Sequence, residues 1–495
     1  MPPGYHAIYF FCVKATHIIQ SVRYPVVWIP EEIKIHTMPF EDIAGFVKKI
    51  TSSKRNKDII LGLVSDNVYA LSIGGEHYYA AENLDFEASE GDELGWLGYY
   101  IGKCASLTKL VINDLPEDVD QRNQFLTGLN RNRSIQQLFI FHDLWCDISE
   151  TLDDFFRNNK SLSVLRLKDF DIEYEEACNL ASTIRDTSLS TLDLESNDLC
   201  REGFEQIIRA CAQSQINDLC LSHNNISRIG CTTLGTLLGS GELNNLTSLD
   251  FRGNPIDDNS LEMLAAGLVN NTTLGTLSLS GNPSITGGGL RCLIPFLQSE
   301  SCCSLRNFYY YGNNIDDAGA AALAHGLAKN KSLETLWFDP SEDDCRMTSA
   351  GWQSFATLLC DTSSVNNTYL SNHTLKLIGE PCNEGSSVHE VHERVRDLLR
   401  RHENASSKDE IATRKILLSD RDLDMEPFFD WELKFLPMIV SWLAKARGYN
   451  FVAPTIHGRE LSAVYKFIRA MPLLAVRGRQ TLCRRCGRKR KLLEI

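Results

Sequence analysis

Cys483-Arg-Arg-Cys486 is the arrangement in this chain that comes nearest to a reactive site. Two thiolates at that spacing make half of a structural zinc site, which needs four ligands. No second pair follows, and the nearest earlier cysteine lies about a hundred residues back. The same spacing serves redox chemistry in a thioredoxin-like context, which the flanking sequence does not supply. Gly287-Gly288-Gly289 stands before a helical pattern and could offer main-chain N–H groups to a phosphate. No lysine follows at phosphate-loop spacing, so the glycines are expected to serve the turn. His77, His142, His223 and His325 show no ligand spacing. Phosphate-loop, serine-elbow and His-Glu-x-x-His signatures are missing from the sequence. Arg484 to Lys491 (RRCGRKRK) has the composition of a nuclear-import signal, of a site for acidic lipid or nucleic acid, or of a solvated tail. No catalytic set, metal site or cofactor is expected.

What positions any functional group here is a repeat. Ten stretches follow Leu-x-x-Leu-x-Leu-x-x-Asn-x-Leu, beginning at Leu107, Ile135, Leu162, Leu189, Ile216, Leu246, Leu274, Leu305, Leu333 and Val365. The steps are 28, 27, 27, 27, 30, 28, 31, 28 and 32 residues, and a period of that size means stacked supersecondary units. In the best copy, Leu192 and Leu194 alternate with Asp193 and Glu195, which is a short strand with one buried face. Asn197 follows at the turn, where its amide can donate to and accept from main-chain groups. Asn224, Asn254, Asn282 and Asn313 hold the same slot, so an asparagine ladder is expected; Asp143 replaces it in the second copy, and Phe170 breaks it in the third. Phe204, Ile207, Ile208 and Cys211 then fall at helical spacing, as do Leu261, Leu264, Ala265, Leu268 and Ala320, Leu323, Ala324, Leu327. Asp257-Asp258 and Asp316-Asp317 suit the N-termini of those helices.

Strand parity turns the residues between and after the strand leucines away from the core. Units four to six offer Asp193, Glu195, Asp218 and Asp250 there, with Arg252 as the exception. Units eight to ten offer Tyr309, Tyr311, Trp337 and Tyr369, and unit two offers Phe139 and Phe141. Tyr and Trp bring large contact area at low entropic cost, which makes this set the candidate partner-binding surface. The competing reading is internal packing: the aromatics pair along the sheet, or C-terminal helices cover them. For the acidic residues it is an ordinary solvated face.

A strand–helix repeat of 27–32 residues with Asn after the strand resembles the ribonuclease-inhibitor-like (RNI-like) class of leucine-rich repeats, over about Leu107 to Leu375. The resemblance implies an α/β solenoid, a right-handed β-α superhelix bent into a horseshoe, with strands on the concave side. It says little about activity. Members include inhibitors, innate-immune sensing regions, GTPase-activating proteins and ubiquitin-ligase adaptors, and what they share is protein binding. Ribonuclease inhibitor alternates Asn with Cys at the turn slot, and this chain does not. A non-enzymatic interaction module or scaffold is therefore expected, with a regulator of a small GTPase, an adaptor in ubiquitin ligation or innate-immune-type sensing as alternatives. No motif assigns a GTPase-activating Arg or Asn.

The net charge is −14, against a general nucleic-acid binder. Residues 476–495 carry eight Lys/Arg and one Glu, so the acidity lies in the body, which favours a basic protein partner. The 16 cysteines have no disulfide spacing and suit a reducing compartment, cytoplasmic or nuclear. The run Ala7 to Val13 is too short and poorly flanked for a signal peptide. No stretch reaches the ~20 apolar residues of a membrane span. Sequons at Asn225, Asn245, Asn271 and Asn366 are expected by chance in repeats rich in Asn and Ser. The expected organisation is an N-terminal region of unclear fold (1–67), a degenerate repeat (68–106), the repeats (107–378), a helical region (388–475) and a basic tail (476–495). Within the helical region Val388–His402, Asp409–Leu418, Phe428–Ala446 and Leu461–Leu474 read as helices. The oligomeric state is left open.

Overall fold

The computed structural model describes residues 40–51, 53–75, 84–87, 93–116, 118–141, 151–299, 304–338, 347–379, 386–402, 405 and 407–419. Asp143, His77, His142, the Cys483–Cys486 pair, the helices expected over 428–446 and 461–474, and the basic tail lie outside them. The chain opens with α1 (Phe40–Ile50), α2 (Lys54–Val64), β1 (Ala70–Ile73), β2 (Leu84–Phe86) and α3 (Glu93–Lys103). The repeats continue with β3 (Lys109–Ile112), α4 (Val119–Leu129), β4 (Gln137–Phe141), α5 (Asp153–Asn158), β5 (Val164–Lys168), α6 (Tyr174–Asp186), β6 (Thr191–Asp193) and α7 (Arg201–Ala212). Then come β7 (Asp218–Cys220), α8 (Arg228–Ser240), β8 (Ser248–Asp250), α9 (Asp258–Leu268), β9 (Thr276–Ser278), α10 (Gly287–Cys292) and α11 (Ile294–Gln298). Last are β10 (Asn307–Tyr309), α12 (Asp317–Leu327), β11 (Thr335–Trp337), α13 (Ser349–Leu359), α14 (Val365–Leu370), β12 (Leu377–Ile378), α15 (Ser386–Arg400) and α16 (Lys408–Ser419).

The twelve strands form one sheet in the order β12-β11-β10-β9-β8-β7-β6-β5-β4-β3-β1-β2, with neighbouring strands parallel. Each repeat lays its strand beside the last and returns through a helix, so the fold is a leucine-rich-repeat solenoid. β2 departs from this order, because it lies outside β1 and leaves β1 between it and β3. Leu192 and Leu194 are fully buried, and one continuous apolar cluster runs from Val47 to Leu399. The three helical stripes expected from spacing all face it.

Helices α8 and α9 touch through glycine: a Cβ on Gly267 would stand 1.9 Å from the Gly235 carbonyl oxygen. The acidic pairs divide their labour. Asp257 and Asp316 cap their own helices, accepting from Ser260 N–H (2.8 Å) and Gly319 N–H (2.7 Å). Asp258 instead reaches the next repeat and accepts from Thr286 N–H (2.7 Å), and Asp317 accepts from Thr348 N–H (2.8 Å) and Gly351 N–H (2.9 Å). Gly289 leaves room for Asp258, whose Oδ1 a Cβ there would approach to 2.3 Å.

The turn asparagines form the expected ladder. Nδ2 of Asn197, Asn224, Asn254 and Asn313 donates to the carbonyls of Leu167 (2.8 Å), Leu194 (2.6 Å), Leu221 (2.9 Å) and Leu279 (2.8 Å) of earlier repeats. Their Oδ1 atoms accept in return: Asn224 from Asn197 N–H (3.0 Å), Asn254 from Asn224 N–H (3.1 Å), and Asn313 from Asn282 N–H. At Phe170 the row ends, since the phenyl is buried and only its N–H meets Asn197 Oδ1 (3.1 Å).

A second asparagine row, at the helix-to-strand corner, was not anticipated. Asn132, Asn159, Asn271, Asn330 and Asn372 are buried three residues before a core Leu or Ile. Asn330 Oδ1 accepts from Ser332 N–H (3.0 Å) and Leu333 N–H (2.8 Å), while Nδ2 donates to Leu297 O (2.9 Å). Each of these five carries Ser or Thr two residues on, so the sequon at Asn271 has a structural origin rather than a chance one.

One repeat boundary is corrected. The template at Val365 is helix α14, capped by Ser364. The tenth strand is β12, where Leu375 and Ile378 enter the core and Leu377 pairs with Thr335. The corner asparagine explains the shift: Asn372 Oδ1 accepts from Leu375 N–H (3.0 Å) and starts the strand there, 42 residues after Leu333. Beyond it, α15 packs on α13, with His392 edge-on to Trp352 at 4.6 Å, and α16 packs on α14.

Asn254→Ala should lower unfolding free energy by about 2–4 kcal/mol, because it orphans main-chain groups in two repeats. Asn314→Ala, a single weak bond near solvent, should cost under about 0.5 kcal/mol. Urea denaturation distinguishes the two.

Candidate functional site: the concave strand face

In-register pairing makes slots of successive repeats into rows. The central row reads Val111, Phe139, Arg166, Asp193, Cys220, Asp250, Ser278, Tyr309 and Trp337. It has three parts.

At the N-terminal part, Phe139 and Phe141 point away from the main core as parity requires, yet they are 6 % and 1 % exposed. They cluster with Val111 and Val164, and Arg166 lies 4.6 Å and Lys109 Nζ 5.3 Å from the Phe139 ring. These two aromatics are internal packing, and the expectation that they offer an open contact surface is corrected.

In the middle, the acidic stripe is neutralised. Asp193 pairs with Arg166 (2.6 Å), Glu195 with Lys168 (3.1 Å) and Asp250 with Arg252 (2.6 Å). The first two cations belong to the third repeat, one strand over, and reading along the chain hid them. Asp218 is half-buried and in no ion pair among the described residues. Cys220 sits between Asp193 and Asp250, and burial with those carboxylates pushes its thiol up to about 12, which disables it as a nucleophile.

At the C-terminal part, Tyr309 lies directly beside Trp337 in register, and both are half-buried. Tyr311 faces the Arg252 guanidinium at 5.9 Å, and Leu377 on β12 is 41 % exposed. Tyr369 does not join them. It is on α14, where its hydroxyl donates to Asp409 (2.9 Å), and that bond raises its phenol. It was misplaced together with the tenth strand.

The residue after each repeat's first leucine forms another row, held by main-chain bonds from Gln136 N–H to Thr108 O onward to Lys376 N–H to Glu334 O. Its last members are Arg306, Glu334 and Lys376, with Glu334 bridging Arg306 Nη1 (2.8 Å) and Lys376 Nζ (2.6 Å). Sequence reasoning passed over this slot. The signal was available, because charge enters it only at unit eight. Among the described residues no group of three or more His, Cys, Asp or Glu could hold a metal, and no helix is long and apolar enough to cross a membrane.

Residues 242–265 and 270–293 match a family model described as leucine-rich repeat. Over 217 residues the chain is 27 % identical to ribonuclease inhibitor of Sus scrofa, covering 43 % of this chain and 46 % of that protein. Its repeats are leucine-rich repeats, similar to those of the RNI-like class. This leucine-rich-repeat chain spans just under half the length of the ribonuclease inhibitors it matches. It is also 24 % identical to NACHT, LRR and PYD domains-containing protein 12 of Mus musculus, over 43 % of this chain and 20 % of that one. An internalin structure from Listeria monocytogenes is similar at 14 % identity and a TM-score of 0.34, over 63 % of this chain and 90 % of its own.

Beneath the last repeat lies a buried basic set. Lys415 Nζ donates to Leu359 O (2.6 Å) and Asn372 O (3.1 Å) and lies 3.2 Å from His373 Nδ1. Burial lowers Lys415 to about 7, and burial plus the Lys415 charge lowers His373 to about 3 and His402 to about 2. The unfolded histidines take up protons near 6.5 and the folded ones only far below, so stability falls as pH drops from about 6.5 toward 3. For Lys415 the unfolded state holds the extra proton between about 7 and 10.4, so stability rises with pH across that window. Amide protection of α16, corrected for intrinsic exchange, should therefore fall from pH 7 to 5. Lys415→Met should remove its rise above pH 7.

Proposed function

We propose that this chain is a non-enzymatic protein-interaction module that holds a protein partner against the C-terminal part of its concave face, around Tyr309, Tyr311 and Trp337. The observation that carries this is contrast along one sheet. The N-terminal aromatics are closed off and all the central acids but Asp218 are paired, while Tyr309, Tyr311, Trp337 and Leu377 keep accessible surface. Contact energy in interfaces concentrates in a few aromatic anchors, which are available at this end. Leucine-rich-repeat proteins are in general protein-interaction modules, and one relative is named for inhibiting a ribonuclease. Asp218 and the paired Asp193, Glu195 and Asp250 serve as a polar flank rather than as anchors. We place the chain in the cytoplasm or nucleus. The buried thiols of Cys104, Cys211, Cys231 and Cys360 support that reading, since such cysteines persist in reducing compartments.

A partner recovered by affinity purification and mass spectrometry should bind the Trp337→Ala, Tyr309→Ala double variant about 30-fold or more weakly, the equivalent of losing about 2 kcal/mol. The melting temperature should move by no more than about 2 °C. A collapse of stability in the double variant would make these aromatics core residues and defeat the reading.

A further inference from the structure

We propose that the last three repeats bind an acidic protein segment, with its carboxylates on the rim made by Arg306, Lys331, Lys376 and Lys408 and an apolar or aromatic residue against Tyr309 and Trp337. This rests on the reading of that face as the binding surface and adds the chemistry of the partner.

Three observations carry it. First, the hydrogen-bonded row after the first leucine holds uncharged residues from Thr108 to Gly275, and charge enters only at Arg306, Glu334 and Lys376. Those are the repeats that expose the aromatics. Second, the charges there do not cancel. Glu334 is shared by Arg306 and Lys376, both more than 60 % exposed, and their charges hold its carboxyl below the usual range. Lys408 Nζ rests on the Lys331 carbonyl (3.4 Å) and Thr374 Oγ1 (2.9 Å), not on a carboxylate, and its neighbour Asp409 takes the Tyr369 hydroxyl. Lys331 itself is exposed. Burial lowers Lys408, and the Lys331 charge adds to it. Four cations thus face two carboxylates, Glu334 and Asp409, and Asp409 is also engaged by the Tyr369 hydroxyl. Third, the geometry suits one short segment. Trp337 follows Glu334 by three residues, so rim and ring lie about 10 Å apart along the strand.

The rim's sign opposes that of the whole chain, which is −14. An acidic stretch that also carries apolar side chains meets the rim and the rings together, whereas a polyanion without them meets the rim alone. With Asp193, Glu195 and Asp250 already paired, the middle of the concave face offers a basic partner little free charge.

The test uses the full chain and immobilised polymers: a random glutamate–tyrosine copolymer, a lysine–tyrosine copolymer and a single-stranded oligonucleotide, read by biolayer interferometry at about 0.15 M salt. The glutamate–tyrosine copolymer should bind most tightly. Arg306→Glu with Lys376→Glu should weaken it at least tenfold, and Arg306→Gln with Lys376→Gln should weaken it less, with circular dichroism unchanged in both. Failure of that copolymer to bind overturns the inference. So does equal or tighter binding of the lysine copolymer or the oligonucleotide, or indifference to both charge variants. If Trp337→Ala with Tyr309→Ala abolishes binding while the charge variants do not, the acidic partner falls and the binding face stands. If neither pair of variants matters, both fall.

Discussion

Repeats bury main-chain N–H and C=O groups at two corners, where a group left unpaired would cost its full desolvation penalty. Asparagine meets that constraint, because its side chain both donates and accepts at the geometry of a peptide. The turn row from Asn197 to Asn313 ties five strand exits to neighbouring repeats, and the five corner asparagines from Asn132 to Asn372 tie five strand entries. Leucine packing fills the space between the corners, but it is non-directional and would tolerate slippage. Where they occur, the amides fix where a strand starts or stops, and so which residues come into register.

Register then writes the surface. Neighbours on the concave face belong to different repeats, so its chemistry is read across strands. Arg166 meets Asp193, and Lys168 meets Glu195, across one strand spacing. The result is an acidic composition with little free acidity in the middle of the sheet. At the C-terminal end the same rule gathers Tyr309 beside Trp337 and Arg306, Glu334 and Lys376 into one charged run.

The helical end of the solenoid obeys a different balance. Helices α15 and α16 close the last repeat by burying ionisable groups, with Lys415 bonded to two main-chain carbonyls that a further repeat's amide would otherwise meet. Such a closure is specific but sensitive to protonation, since burial favours the neutral forms of Lys415, His373 and His402. Asn372 belongs to both systems: its side chain starts β12 and its carbonyl accepts from Lys415.

The sequence by itself determined the repeat, the strand–helix alternation, the turn ladder and its end at Phe170, and the parity of the strand residues. These follow from local periodicity and from one residue type recurring at one slot. It also held the five corner asparagines, each three residues before a core Leu or Ile, though only Asn271 was noticed, as a chance sequon. Asn372 would have moved the tenth strand from Val365 to Leu375 and kept Tyr369 off the concave face. Tertiary structure alone decided exposure and pairing. Whether Phe139 is covered, whether Asp193 is free, and whether Tyr309 stands next to Trp337 depend on groups a full repeat away in sequence. Stacking brings those groups within a few ångströms, and no local pattern encodes that distance.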